Sequence, residues 1–99
     1  MDIKVEKNGA TTTISPVGRI DTTTSPELEE KIKEVIDSLD RLIFDFASVD
    51  YISSSGLRVL LSAQKIMNKK SGSMTLTNVK DEIMEIFEVT GFDSILSIE

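Results

Sequence analysis

The sequence contains no histidine, no cysteine and no tryptophan among its 99 residues. Without histidine or cysteine, the chain has no serine-histidine-aspartate triad, thiolate nucleophile, zinc finger or disulfide bond. Carboxylates remain as the only metal ligands, and lysine or a carboxylate as the only general base. Histidine and cysteine chemistry is therefore excluded. We expect no catalytic residue, no metal site and no cofactor.

Positive charge is also scarce, since 11 Lys and Arg residues stand against 17 Asp and Glu residues, for a formal net charge of −6. Proteins that bind nucleic acids need a basic patch to displace counterions from the phosphates. Direct contact with nucleic acid or with an anionic membrane surface is therefore disfavoured. The apolar runs, such as Leu42–Phe44, are far too short to span a bilayer, and no signal peptide is visible. We expect a cytoplasmic protein.

The remaining composition is that of an ordinary globular protein, with 39% hydrophobic residues. A chain of this length buries about two-thirds of its unfolded surface, which supports one modest core. The sequence contains no repeat, low-complexity tract or linker. It therefore predicts one domain over residues 1–99.

The N-terminal part predicts a hairpin followed by a helix. Asn8-Gly9 is typical of a type I′ turn, in which both central residues need positive φ, and Thr11–Ile14 is the returning strand. Pro16 suits the end of this strand or a sheet edge, because it cannot donate a ladder hydrogen bond. The hydroxyl of Ser25 is expected to cap a helix over Pro26–Leu39, which has proline in its first turn.

The middle of the chain predicts a buried strand and a second helix. Leu42–Phe46 is mostly apolar, as in a central strand that is covered on both faces. A turn-like stretch then leads through Tyr51–Ile52 to the serine cluster Ser53–Ser55. The second helix follows this cluster, and Gly72 is expected to end it.

The C-terminal part predicts a strand at Met74–Thr77 and a third helix that is capped by Asn78 and ended by Gly91. Ile95–Ile98 forms a last short strand or a packed tail. The expected fold class is α/β, a mixed β-sheet packed with helices, in the order β-β-α-β-α-β-α with an optional terminal strand.

The serine cluster Ser53–Ser55, followed by Gly56, is the chemically distinctive segment. It lies where a helix begins, so a serine hydroxyl can cap the helix, and residue types alone favour this role. The same hydroxyls can accept a phosphoryl group, which the free N–H groups of the helix start would partly stabilise. Neither a Gly-x-Ser-x-Gly elbow nor a phosphate-binding P-loop is present.

Three segments resemble the signature segments of anti-sigma factor antagonists, the single-domain members of the STAS superfamily. They are Gly18–Asp21, Leu42–Asp45 and Tyr51–Leu60, and Thr90–Phe92 adds to the similarity near the C-terminus. The resemblance runs essentially from end to end. Its most specific part is the Ser-Ser-Gly-Leu block at Ser54–Leu57.

The resemblance implies a bacterial partner switch that regulates transcription. Such antagonists bind an anti-sigma factor that is also a serine kinase of the histidine-kinase-like ATPase fold, and thereby release a sigma factor. Phosphorylation of the antagonist weakens the complex, and a metal-dependent serine/threonine phosphatase reverses it. The antagonist is a ligand and a substrate and has no catalytic activity of its own.

In the family pattern the modified serine stands two residues before the glycine, which is Ser54 in this sequence. Ser53 and Ser55 are the less favoured candidates. Ser53 also replaces the aspartate that often precedes the modified serine. This departure motivates an alternative function, a non-phosphorylated STAS interaction module that acts as a scaffold or a small-ligand sensor. An enzyme with a serine nucleophile is the least favoured alternative.

The expected partner-binding residues surround Ser54. They are Asp21, Ser53, Ser55, Gly56 and Arg58. Asp21 matches an acidic residue of the family near the switch serine, although an acid before a helix is also a common turn or cap residue. Arg58 is expected to face outward from the apolar stripe of the second helix. Leu57 is expected to lie in the core, and Asp45 to end the central strand.

Overall fold

A computed structural model describes all residues from Met1 to Glu99. The chain contains six strands and three α-helices, and short 3-10 turns follow the first and third helices. The strands are β1 (Asp2–Asn8), β2 (Thr11–Ile20), β3 (Arg41–Asp45), β4 (Val49–Ile52), β5 (Ser73–Thr77) and β6 (Ser97–Ile98). The helices are α1 (Ser25–Val35), α2 (Ser54–Lys69) and α3 (Asp81–Thr90).

The strands form one mixed sheet, as the sequence predicts. The order is β1-β2-β3-β5-β6, in which β1 is antiparallel to β2 and the other neighbours are parallel. The optional terminal strand is present as β6. The α/β class is therefore confirmed, and the complete order is β-β-α-β-β-α-β-α-β.

Strand β4 is the element that the sequence does not reveal. It pairs with the end of β2 in parallel, at Gly18–Ile20, where the register shifts. The shift interrupts the alternation of buried and exposed residues along the strand. As a result, Asp50 and Tyr51 are both exposed, while the two ends of β4 are buried. Ala47 and Ser48 form a turn, as expected. The stretch then continues as a strand, which the sequence conceals because two exposed residues between two buried ones resemble a turn.

The core lies on one face of the sheet, where all three helices contribute to a single apolar cluster. Leu42 and Phe44 of β3 face this cluster and are fully buried, whereas Ile43 and Asp45 between and after them are half-buried. The expectation that β3 is covered on both faces is therefore wrong. Threonines of the neighbouring strands, such as Thr13 and Thr75, share the open face and tolerate water there.

The first hairpin differs from its prediction by one residue. Asn8 pairs with Thr11, so the two-residue loop is Gly9-Ala10, and of these only Gly9 has positive φ, at 63°. Pro16 lies inside β2 rather than at its end or at an edge. It is tolerated because β3 pairs with β2 only as far as Ile14 and β4 pairs only from Gly18 onward.

The ends of α1 and α2 differ from their predictions. Helix α1 stops at Val35 and continues as a 3-10 turn over Ile36–Ser38, while Leu39 is buried beyond it. After α2 the left-handed residue is Ser71, at φ 60°, and not Gly72. Gly72 is needed for space, since a Cβ there would lie 2.7 Å from the carbonyl oxygen of Asp40.

At α3 the cap position is Lys80, and Asn78 does not cap the helix. Asn78 instead adopts φ 55° and donates through Nδ2 to Oδ1 of Asp45 at 3.0 Å. Asp45 ends β3, as expected. Gly91 ends α3 in the left-handed conformation, at φ 80°, which confirms that prediction.

Candidate functional site

The candidate site forms where the ends of β2 and β4 meet the starts of α1 and α2. The two strands run side by side, and the backbone N–H of Ser53 donates to the carbonyl oxygen of Ile20 at 2.8 Å. This bond places the residue after β4 beside the residue that ends β2. The loop from Asp21 and the serine cluster are therefore neighbours, although more than thirty residues separate them in sequence.

Asp21 organises the loop that begins α1. Its Oδ1 accepts hydrogen bonds from the backbone N–H groups of Thr23, at 3.0 Å, and Thr24, at 3.1 Å. The hydroxyl of Thr24 accepts from the N–H of Asp21 at 2.9 Å, so the two residues bond reciprocally, as in a capping box. The N–H of Thr24 is the main cause of a pKa of Asp21 that lies below its ordinary value.

Ser25 does not cap α1 as the sequence predicts. It is the first residue of the helix, and its buried hydroxyl donates back to the carbonyl oxygen of Asp21. The preceding residue, Thr24, holds the cap position without a side-chain cap bond. The prediction fails because the reciprocal bonds of Asp21 and Thr24 already satisfy this turn.

The three serines of the cluster have three different environments. Ser53 is the N-cap of α2 and accepts a hydrogen bond from the N–H of Gly56, with Oγ at 3.4 Å from N. Ser55 is half-buried, and its Oγ lies 3.4 Å from Oγ1 of Thr22. Ser54 is exposed as the first residue of α2, and its hydroxyl makes no hydrogen bond within the chain. One free hydroxyl therefore stands between two that are engaged.

Gly56 fixes the position of α2 against the sheet. It is buried, and a Cβ at this position would lie 2.7 Å from Cγ2 of Ile20 and 2.7 Å from Cγ1 of Ile52. Real Cβ atoms do not approach other atoms so closely, so any other residue would push the helix away from the ends of β2 and β4. Leu57, the next residue, lies in the core as expected.

Two arginines flank the site, and only one of them is paired. The guanidinium of Arg19 stacks on the ring of Tyr51, 4.3 Å from its centroid, and Nε lies 3.9 Å from Oδ2 of Asp21. Arg58 is exposed, as expected, and has neither an ion pair nor a side-chain hydrogen bond. It lines a shallow groove between α1 and α2, together with Thr22 and Ser55.

The structure thus brings all six sequence-predicted residues to one place. Ser53, Ser54 and Ser55 surround the start of α2, and the remaining residues, Asp21, Gly56 and Arg58, lie beside or beneath them. Thr22, Thr24, Arg19 and Tyr51 also contact the site residues or each other here, and the sequence did not predict their place in the site. The run of three threonines after Asp21 is a signal for local side-chain to backbone bonds and would have indicated Thr24, which makes them.

The site consists of a helix start that carries hydroxyl, carboxylate and guanidinium groups. No group of three or more Asp and Glu side chains is arranged to hold a metal ion. No helix has the length and the apolar character that crossing a membrane requires. What the arrangement presents is a hydroxyl and a set of polar and charged side chains on a rigid helix start.

The chain belongs to the STAS domain family, whose model matches residues 2–99. It is 33% identical over 82 residues to BtrV of Bordetella bronchiseptica, described as an anti-sigma factor antagonist, with 82% of this chain and 71% of that protein covered. It is 28% identical to the anti-sigma-B factor antagonist of Bacillus subtilis, with 99% of this chain and 90% of that protein covered.

A solved structure of an anti-sigma factor antagonist has the same fold. An anti-sigma factor antagonist from Mycobacterium paratuberculosis superimposes with a TM-score of 0.87 at 26% identity, covering 98% of this chain and 83% of the other. The family resemblance on which the sequence analysis depends is therefore confirmed. The relationship is to regulators, which agrees with the expectation that the chain is not an enzyme.

Proposed function

We propose that this chain is a cytoplasmic anti-sigma factor antagonist that is switched off by phosphorylation of Ser54. In its unphosphorylated form it binds an anti-sigma factor that is also a serine kinase of the histidine-kinase-like ATPase fold, and a sigma factor is released. A metal-dependent serine/threonine phosphatase restores this form. The observation that carries the proposal is the free, exposed hydroxyl of Ser54 at the start of α2.

The environments of the neighbouring serines support Ser54 over the two alternatives. The hydroxyl of Ser53 is engaged by the N–H of Gly56, and Ser55 is half-buried against Thr22. A kinase needs a hydroxyl that it can surround. Ser54 meets this requirement without any change in the fold.

A phosphate at Ser54 supplies much of the free energy that the switch needs. It adds about −1.5 to −2 charges, which takes the net charge from −6 to about −8. Moving a complex from mostly bound to mostly free needs about 5.5 kcal/mol of differential affinity. Leaving a buried charge without its partner costs about 3–5 kcal/mol, so one poorly paired phosphate inside the interface supplies much of this difference.

The proposed partner surface consists of the side chains around Ser54. Asp21, Ser53, Ser55 and Arg58 would contact the anti-sigma factor, and the loop that Asp21 organises adds Thr22. Gly56 is buried, so its contribution is to hold α2 in place rather than to touch the partner. Since the chain is acidic, we infer that its effect on transcription passes through this protein contact and not through nucleic acid.

Mapping of phosphorylation by mass spectrometry tests the proposal. The purified chain is incubated with ATP and each histidine-kinase-like anti-sigma kinase of the same genome, alongside Ser53→Ala, Ser54→Ala and Ser55→Ala variants. We expect one phosphate on Ser54 and loss of modification only in Ser54→Ala. Binding of a kinase without modification of any of the three serines would contradict the switch and favour the non-phosphorylated interaction module.

A further inference from the structure

Arg58 stands one helical turn after Ser54 on α2. Residues four apart in a helix are neighbours, with Cβ atoms about 5–6 Å apart, and helical side chains lean toward the N-terminus. The side chain of Arg58 can therefore reach the turn that carries Ser54. The order also matters, since an acid four residues before a base is the more favourable arrangement in a helix.

Arg58 is also the cation at this end of the molecule that has no partner. Arg19 is engaged by the ring of Tyr51 and by Asp21. Across the groove, the carboxylate of Glu29 pairs with Lys33 of its own helix at 3.5 Å, and no ion pair joins it to Arg58. The charged groups around Arg58, which are Asp21, Glu29 and Arg19, are thus all engaged, and Arg58 itself is free.

We propose that, once Ser54 is phosphorylated, Arg58 pairs with the phosphate within the same helix. This inference rests on the proposed function and adds a residue that regulates the switch. The planar guanidinium offers two parallel N–H donors, which match two phosphate oxygens. Nothing has to break before this pair forms, because neither group has a partner in the unmodified chain.

The pair gives phosphorylation a second effect besides the added charge. In the unmodified chain the guanidinium of Arg58 is available to the partner. In the phosphorylated chain the phosphate occupies it, so the partner loses a donor and meets a dianion at the same position. The phosphorylated helix start is also held more rigidly, because Ser54 and Arg58 are then joined across its first turn.

The test is a phosphorus NMR titration of a chain that carries phosphoserine at position 54, incorporated during translation by an expanded genetic code. The second pKa of a free phosphoserine is about 6. An exposed pair of this kind should lower the phosphate pKa in the wild-type background by about 0.5 relative to Arg58→Gln. The Nε resonance of Arg58 should shift at the same pH as the phosphate.

Arg41→Gln is the matched control, since Arg41 is an exposed arginine at the start of β3, far from the start of α2. It should leave the phosphate pKa unchanged, whereas Arg58→Lys should retain part of the effect. Equal phosphate pKa values in the wild-type and Arg58→Gln backgrounds would overturn the inference. Because the phosphate is installed without a kinase, this result is independent of whether a kinase modifies Ser54.

Discussion

Gly56 lies so close to Ile20 that a Cβ on the glycine would be 2.7 Å from the isoleucine Cγ2. Ile20 is fully buried at the end of β2, and Gly56 is the third residue of α2. The first turn of the helix is therefore seated on the strand end with no space between them. This contact fixes where Ser54 is presented.

The close approach predicts that Gly56→Ala destabilises the fold. The added methyl group has to displace Ile20 and Ile52 in the core, and overpacking of this kind costs about 1–3 kcal/mol. Urea denaturation measures the change in the free energy of unfolding. Ser62→Ala, at an exposed position of the same helix, is the control and should stay within about 0.5 kcal/mol of the wild type. A Gly56→Ala variant as stable as this control would contradict the packing.

The cap on α2 predicts opposite effects for two substitutions of Ser53. Ser53→Ala removes the bond to the N–H of Gly56 and should destabilise the chain by about 0.5–1 kcal/mol, the lower part of the range for caps, because the bond is long. Ser53→Asp should be at least as stable as the wild type, since a carboxylate caps well and favours the positive end of the helix. Thermal unfolding of both variants measures this. If Ser53→Ala were the more stable of the two, the cap would have no role.

The lowered pKa of Asp21 predicts a loss of stability in acid. The ionised carboxylate accepts these hydrogen bonds more strongly than the protonated acid does, so its contribution is present above the unfolded pKa of about 3.9 and is lost as the pH falls toward the lower folded pKa. Asp21→Asn should reduce the dependence of unfolding free energy on pH in this range. Asp93→Asn, at an exposed acid without hydrogen bonds, is the comparison. Identical pH profiles for the two variants would show that Asp21 is not stabilised in this way.

The left-handed backbone after α2 predicts that Ser71→Gly stabilises the chain. Ser71 has φ 60°, which costs a residue with a side chain about 1–2 kcal/mol, and glycine avoids most of this cost. Gly72→Ala should have the opposite effect, because its Cβ would meet the backbone of Asp40. Equilibrium unfolding of the two single variants should move in opposite directions. A stabilising Gly72→Ala would refute the assignment of the two positions.

The sequence predicted the elements of this fold better than their ends. Hydrophobic spacing located all three helices, and Gly91 located one end, because the left-handed φ at that position requires no tertiary information. Asn8-Gly9, Ser25, Asn78 and Gly72 each carried a plausible local signal for a turn or cap. For the last three, a longer-range contact or a neighbouring bond decided the outcome, such as the bond from Asn78 to Asp45.

At the site, too, the sequence predicted the local features but not those that depend on tertiary contacts. The serine cluster was visible in the sequence, as was its place at a helix start, because it precedes an apolar stripe with helical spacing. The different environments of Ser53, Ser54 and Ser55 were not visible, since they depend on Gly56 and on Thr22 of a distant loop. Tyr51 was missed because its strand was missed, and with it the stacking of Arg19.

The affinity of the chain for its anti-sigma factor, measured with and without phosphoserine at position 54, tests the central claim most directly. Isothermal titration calorimetry against the purified anti-sigma kinase, with the nucleotide bound and hydrolysis prevented, gives both values. A full switch needs a difference of roughly 5.5 kcal/mol in binding free energy, and phosphorylation should supply most of it. We therefore expect the affinity of the phosphorylated chain to be lower by at least about a hundredfold. Ser54→Ala should bind as the unmodified chain does. Equal affinities for the phosphorylated and unphosphorylated chains would contradict the account.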